Sequence, residues 1–114
     1  MKFFEQRRNT VLDLATEDAY GLWEIVGAFK IDFPNLDDEA ALNIARETVH
    51  AMIDENLIEL YVCKPSSEVI EPAVSAERAI AIINDVKNWH VPQPGEKQFR
   101  LASTKRGDRA YFGE

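Results

Sequence analysis

The segment from Asp38 to Cys63 constrains the fold more than any other part of this 114-residue chain. Its core-facing positions recur at helical spacing, at Ala41, Ile44, Ala45, Thr48, Val49, Met52 and Ile53. Such a stripe predicts a helix with one face in a core, and Asp37 or Asp38 is a suitable N-cap for it. Asn56 fits a left-handed helix stop. Residues 57–63 follow at once and are rich in β-branched and aromatic side chains, which predicts a strand.

The N-terminal part of the chain carries weaker helix signals. Apolar residues at a loose helical spacing predict a first helix over residues 3–15, with Asn9 and Thr10 as the point where it could be interrupted. Thr16 is a suitable N-cap for a second helix, because two acidic residues follow it in the first turn. We predict that this second helix runs to about Lys30.

The C-terminal half of the chain predicts one short helix and one strand. Residues 64–74 contain two prolines and predict a loop, after which Ser75 caps a helix that reaches about Lys87. Residues 98–103 alternate between polar and apolar side chains, as a half-buried strand does. We predict that residues 104–109 form a turn that ends this strand.

Three stretches carry a resemblance to a known class of fold. Residues 38–55 run straight into Leu57–Leu60, and Phe99–Leu101 is followed by a Thr-x-x-Gly sequence at residues 104–107. Together they resemble the winged-helix (helix-turn-helix) superfamily, in which helices precede a two-stranded hairpin. The resemblance implies one small α+β domain over residues 1–114, with a two-stranded antiparallel hairpin and a helix inserted between its strands.

The helix that corresponds to a DNA-recognition helix is acidic. Its outward face offers Glu39, Glu47 and Asp54 against Arg46 alone. Contacts with bases and phosphates normally need Arg, Lys, Asn or Gln, so we expect that this face does not contact DNA. The stretch between the two predicted strands, about 34 residues, is also far longer than an ordinary wing.

Charge is distributed unevenly along the chain. Acidic residues outnumber basic ones by 20 to 13, and residues 13–85 alone hold sixteen acids and four bases. An acidic body of this kind can steer a basic protein towards it, although a solvated acidic surface is the simpler alternative. The candidate partner-binding residues are Asp37, Asp38, Glu39, Glu47 and Asp54.

Basic residues cluster in the last part of the chain. Residues 86–114 carry six bases and three acids. The candidate nucleic-acid-binding residues are Lys97, Arg100, Lys105, Arg106 and Arg109. They could meet phosphates from a wing, or they could pair with the acidic body of the same molecule, and the overall charge of −7 disfavours general nucleic-acid binding.

The sequence predicts no catalytic or metal-binding constellation. Cys63 has no histidine at a spacing that would activate it, so we expect a buried structural thiol. His50 lies at helical spacing from Glu47 and Asp54, which is more often a solvated face than a metal site. The five glycines are scattered, and Arg106-Gly107-Asp108 fits a tight turn. We therefore predict no enzyme activity, no cofactor and no metal.

These features favour a non-catalytic binding protein with a basic protein partner. Its size and charge are those of a stoichiometric inhibitor, such as the bacterial immunity proteins that cover basic toxins, and of a cytoplasmic adaptor. The alternative is a winged-helix transcription regulator that binds DNA as a homodimer. The single cysteine fits a reducing compartment, and no apolar run approaches the ~18 residues of a membrane span, so we expect a cytoplasmic protein with no membrane contact.

Overall fold

The computed structural model describes residues 2–64 and 71–113. Within these residues the elements are, in chain order, α1 (Lys2–Ala15), β1 (Tyr20–Gly21), α2 (Leu22–Asp32), α3 (Asp38–Asp54), β2 (Ile58–Cys63), α4 (Ala76–Ile83), a 3-10 turn (Val86–Trp89), β3 (Gln98–Ser103) and α5 (Lys105–Phe112). The three strands form an antiparallel sheet in the order β1-β3-β2. The predicted α+β class is therefore confirmed, but the sheet is not the predicted two-stranded hairpin, because β1 adds a third strand beside β3.

One face of the sheet carries the core. Leu60 on β2 and Leu101 on β3 lie opposite each other and are fully buried. Because side chains alternate along a strand, the neighbouring pair Tyr61 and Arg100 lies on the other face. The helices cover the Leu60 face with the large buried side chains Leu22, Ile25, Phe29, Val49 and Met52. Every core position predicted for α3 is buried except Ile44, which is half-buried against the core.

The helix-to-strand passage from α3 to β2 follows the sequence signals. The backbone of Asn56 is left-handed, with φ of 60°, as predicted for a helix stop. The amide of Leu57 donates to the carbonyl of Met52, which satisfies a carbonyl at the end of the helix. At the other end, the Asp37 carboxylate accepts from the Ala40 amide at 2.8 Å and is the N-cap.

Replacing Asp37 with alanine tests this cap. We expect Asp37→Ala to lower the free energy of unfolding by about 1 kcal/mol, because the first turn of α3 loses a side-chain acceptor. The matched control is Asp38→Ala, whose ion pair with Lys30 is exposed and contributes about half as much at most. Urea denaturation of both variants gives the comparison, and equal losses would contradict the assignment of Asp37 as the cap.

The prediction that Thr16 begins the second helix is wrong. Thr16 instead ends α1, with its amide and its hydroxyl both bonded to the carbonyl of Leu12. Tyr20 and Gly21 then pair with β3, so a short strand separates the two helices. The helix α2 begins after Gly21, whose amide donates to the Glu24 carboxylate.

The first helix is continuous through the predicted interruption. The hydroxyl of Thr10 donates to the carbonyl of Gln6 within α1 and lies 2.7 Å from a carboxylate oxygen of Asp32 at the end of α2. Thr10 is only 3% exposed, so this polar side chain is buried with its hydrogen bonds made. Thr10, which interrupts the apolar pattern of α1 in the sequence, therefore joins α1 to α2.

The predicted turn at residues 104–109 is also wrong. Thr104 is the N-cap of α5, and its hydroxyl accepts from the amide of Gly107 at 3.0 Å. Arg106-Gly107-Asp108 consequently lies within a helix and not in a tight turn. The Thr-x-x-Gly spacing has a physical reason here, because Gly107 is buried against the backbone of Leu57, where β2 begins.

The stretch between β2 and β3 contains the predicted helix in a shorter form. Helix α4 begins after Ser75, which caps it, but it ends at Ile83, and Lys87 lies in the 3-10 turn that follows. Part of the loop predicted before it, residues 65–70, lies outside the described residues. No helix among the residues that the structure describes is long and apolar enough to cross a bilayer.

Candidate protein-interaction site

The outward face of α3 is an exposed stripe. Residues Glu39, Asn43, Glu47, His50 and Asp54 recur at intervals of three and four, which places them on one side of the helix. We call these five residues the α3 stripe. None of them is buried, whereas the opposite side of α3 packs into the core. The stripe is therefore available along four turns of a helix whose position is fixed from behind.

The carboxylates of the α3 stripe stay accessible although two of them have partners. Glu47 lies 3.7 Å from a guanidinium nitrogen of Arg7, and its side chain is 72% exposed. Asp54 lies 3.4 Å from His50 one turn earlier, and its side chain is 59% exposed. The Asp54–His50 pair is exposed and therefore weak. In the other pair the Arg7 side chain is largely buried, but the Glu47 carboxylate faces solvent and can also accept from an incoming cation.

The five predicted partner-binding residues divide into two groups. Glu39, Glu47 and Asp54 lie on the α3 stripe, as the sequence spacing predicted. Asp37 and Asp38 lie at the N-terminal end of α3, where Asp37 is occupied as the N-cap and Asp38 pairs with Lys30. The stripe is thus the part of the acidic set that can offer a continuous surface to a partner.

Arg46, the only base on this side of α3, is engaged within the molecule. Its guanidinium donates to the carbonyl of Ile83 at 3.3 Å and to the carbonyl of Asn84 at 2.9 Å. Both carbonyls belong to the C-terminal end of α4, where a helix has unsatisfied acceptors and a negative dipole. The sequence pattern counted Arg46 among the outward side chains, but the structure assigns it to holding α4 beside α3.

Two further side chains close the same end of α4. The indole nitrogen of Trp89 donates to the carbonyl of Ile83 at 2.8 Å, and the amide of Asn88 donates to the carbonyl of Ile82 at 2.8 Å. Trp89 is 4% exposed and belongs to the core. The insert between the strands is therefore packed firmly against one flank of the α3 stripe.

The predicted nucleic-acid set does not form one patch. Arg100 donates to the carbonyl of Ala19 at 2.9 Å and to the side chain of Gln98, and its guanidinium lies 5.8 Å from the centre of the Trp23 ring. Lys97 precedes β3, at the opposite end of that strand from α5. Only Lys105, Arg106 and Arg109, all exposed on α5, share one surface.

These three bases are not paired with the acidic body. Within the described residues, no carboxylate lies within ion-pair distance of Lys105, Arg106 or Arg109. The alternative that the basic residues pair in cis is therefore not what the structure shows for α5. Sequence reasoning missed this shared surface because it predicted a turn, although the Thr104-x-x-Gly107 cap spacing is visible in the sequence.

Cys63 is half-buried rather than buried, which corrects the expectation of an inaccessible thiol. It ends β2 on the face of the sheet away from the core, opposite Gln98. It borders a cleft of about 430 Å³ that the proline-containing loop at residues 92–96 closes on the other side. His90 lies near this loop, but its ring nitrogens face the carbonyl of Lys87 and the carboxylate of Glu96, so neither is available to activate the thiol.

Two tyrosines among the described residues have raised pKa values through hydrogen bonds to carboxylates. A hydrogen bond from the Tyr61 hydroxyl to the Glu59 carboxylate at 2.9 Å raises the pKa of that tyrosine. A hydrogen bond to Asp13 raises the pKa of Tyr111 in the same way. Both shifts keep a phenol protonated, and neither produces a nucleophile. In the described ranges no three His, Cys, Asp or Glu side chains are placed to hold a metal ion.

Comparison with known proteins finds no relative for this chain: no family model, no curated protein and no solved structure matches it. We therefore infer function from three features of the surface. These are the α3 stripe, the engagement of Arg46 by α4, and the unpaired basic residues of α5.

Proposed function

We propose that this protein is a non-catalytic binding module whose α3 stripe engages a basic protein. The observation that carries the proposal is the chemistry of that stripe. Three exposed carboxylates lie on it; Arg46 is turned aside to the end of α4, and Arg7 contacts Glu47 from α1 while leaving that side chain 72% exposed. A helix face with this charge attracts Lys and Arg side chains and repels phosphates.

We also propose that the domain has winged-helix topology. Support comes from the order of the elements, since β1 lies between two helices and β2 follows α3 after a short turn. The sheet order β1-β3-β2 places the early strand beside the last one, and β2 and β3 form a hairpin-like pair. In this topology α3 takes the place of the recognition helix, and the α4 segment is an insertion in the wing.

The surroundings of α3 favour a protein partner over DNA. The major groove is about 12 Å wide and admits a single helix or a two-stranded ribbon. Helix α4 packs along the flank of α3, with Ala79 near Ile53 and Ile83 bonded to Arg46, so two helices would have to approach the groove together. Packed helices have axes about 8–10 Å apart, so α4 would crowd one wall of the groove beside α3.

A stoichiometric inhibitor is the specific role that we propose. The motive is the size and charge of the chain, which resemble those of bacterial immunity proteins against basic toxins. A rigid helix face that presents three carboxylates suits an inhibitor that covers its target without chemistry. Most of its steering charge lies in residues 13–85, where sixteen acids face four bases.

A DNA-binding regulator remains the second candidate, and α5 is the observation in its favour. Lys105, Arg106 and Arg109 are exposed, share one helix, and could contact phosphates as a group. A gel-shift series at low salt separates the two candidates. Tight, sequence-selective binding of duplex DNA that is lost in Asn43→Ala would contradict the protein-binding proposal.

Affinity capture from the native host tests the main proposal. We expect the tagged wild-type protein to retain a basic protein, and the triple variant Glu39→Lys, Glu47→Lys, Asp54→Lys to lose it. The matched control reverses three acids away from the stripe, Glu5, Glu17 and Glu77, all of which are exposed. Capture of the same protein by both variants, or of no basic protein by the wild type, would contradict the proposal.

A further inference from the structure

Helix α5 presents a basic face that no described residue neutralises. Lys105 and Arg109 are four residues apart, and Arg106 lies between them, so their side chains share one side of the helix. Phe112 continues this side one turn later and is 61% exposed, in edge-to-face contact with Tyr111. We call these four residues, Lys105, Arg106, Arg109 and Phe112, the α5 stripe.

The α5 stripe is held in a fixed position. At its N-terminal end, the amide and hydroxyl of Thr104 donate to the carbonyls of Leu57 and Asn56, and Gly107 packs against the Leu57 backbone. At its C-terminal end, the Tyr111 hydroxyl donates to Asp13 on α1. Because both ends are anchored, the helix keeps one position on the domain, and the stripe is a preorganised surface.

The C-terminal half of the α3 stripe is complementary to the α5 stripe in charge and in length. Helix α5 has eight residues and is about 12 Å long, while Glu47 and Asp54 lie seven residues, or about 10 Å, apart along α3. The α5 stripe also begins close to where the α3 stripe ends, since the Thr104 hydroxyl donates to the carbonyl of Asn56 just after α3. Within the described residues the α5 bases have no carboxylate partner, while Glu47 and Asp54 stay exposed beside Arg7 and His50. Each stripe therefore has a matching surface on a second copy.

We propose that the α5 stripe docks on the α3 stripe of a second copy of this chain, reciprocally, in a dimer. Arg106 and Arg109 of one molecule pair with Glu47 and Asp54 of the other, and Phe112 supplies the apolar anchor that ion pairs alone lack. Reciprocal contacts between the same two surfaces close the assembly at two subunits. In this dimer the C-terminal half of each α3 stripe is covered.

This inference rests on the proposed function and adds a form of regulation to it. If the α3 stripe is the partner-binding face, the α5 stripe of the second copy competes with the partner for the same carboxylates. A basic partner must then displace α5 before it binds, so the free inhibitor is stored with its binding face protected. Dilution or added salt releases the face by favouring the monomer, because salt screens exposed charges.

Charge exchange between two variants tests the dimer. Light scattering after size exclusion should give the wild type twice the 13.0 kDa mass of the monomer at low salt. The α5 variant, Arg106→Glu with Arg109→Glu, and the α3 variant, Glu47→Lys with Asp54→Lys, should each be monomeric alone. Mixed in equal amounts they should form a heterodimer. The acidic α5 of the first variant then faces the basic α3 of the second, and the basic α5 of the second faces the acidic α3 of the first.

The control replaces bases outside the stripe, Lys87→Glu with Lys97→Glu, and should dimerise like the wild type. A monomeric wild type, a mixture that does not associate, or an oligomer that grows beyond the dimer with concentration would overturn the proposal. Failure of the dimer proposal can be told apart from failure of the proposed binding function. A monomer that still captures a basic protein through α3 overturns only the dimer, while a dimer that captures nothing overturns only the partner.

Discussion

Gly107→Ala should destabilise the domain by about 3 kcal/mol, although alanine is the better helix former. A Cβ atom at this position would lie 2.0 Å from the carbonyl oxygen of Leu57 and 3.0 Å from its carbonyl carbon. These are backbone atoms at the start of β2, so the clash is relieved only by moving α5 away from the sheet. That movement also breaks the hydrogen bonds from Thr104 to Asn56 and Leu57.

Gly27→Ala is the matched control for this substitution. Gly27 also lies inside a helix, but a Cβ atom there meets nothing within 4 Å. Alanine should therefore stabilise the domain by up to about 1 kcal/mol through helix propensity. Urea denaturation of the two variants should give shifts of opposite sign. A Gly107→Ala variant as stable as the wild type would show that α5 does not pack against Leu57 as described.

Trp89→Ala should destabilise the domain by about 4 kcal/mol. The side chain is 4% exposed in the main core, and its indole nitrogen satisfies the carbonyl of Ile83 at the end of α4. Truncation leaves a cavity and removes one of the two side-chain donors on that carbonyl, the other being Arg46. The loss should therefore loosen the insert from the flank of α3 as well as lower stability.

Two companion variants separate these effects. Trp89→Phe keeps most of the ring and removes only the donor, so it should cost about 1–2 kcal/mol. Val86→Ala changes a 50% exposed residue in the same 3-10 turn and should cost less than about 0.5 kcal/mol. Denaturant midpoints of the three variants give the order. Equal losses of unfolding free energy in Trp89→Ala and Val86→Ala would contradict the packing of Trp89 in the core.

The elements that sequence reasoning predicted well are those with local signals. Four predicted features depend only on neighbouring residues, and all four are confirmed. They are the core-facing positions of α3, the cap at Asp37, the helix stop at Asn56 and the alternation over residues 98–103. Strand β1 was missed because its two residues become a strand only by pairing with β3, and Tyr20 lies opposite Leu101. No local pattern in residues 16–21 carries that information.

The candidate site divides in the same way. Helical spacing was enough to place Glu39, Glu47 and Asp54 on one face. The same reasoning wrongly predicted that Arg46 and Arg100 are available to a partner. Their guanidinium groups donate to backbone carbonyls that lie 37 and 81 residues away along the chain. Composition shows that such bases exist, but only the packed structure shows which of them are already used.

The association rate of the captured partner is the most direct measure of whether the α3 stripe is the binding face. Stopped-flow mixing at concentrations dilute enough to keep the protein monomeric should give a rate constant that falls about tenfold or more between low and high salt, since steering by exposed charge is screened. At low salt the variant Glu39→Lys, Glu47→Lys, Asp54→Lys should associate at least about tenfold more slowly, while the reversal of Glu5, Glu17 and Glu77 should stay close to wild type. Dissociation should change less with salt in all three proteins. Equal rates for the two triple variants, or a wild-type rate independent of salt, would contradict binding through α3.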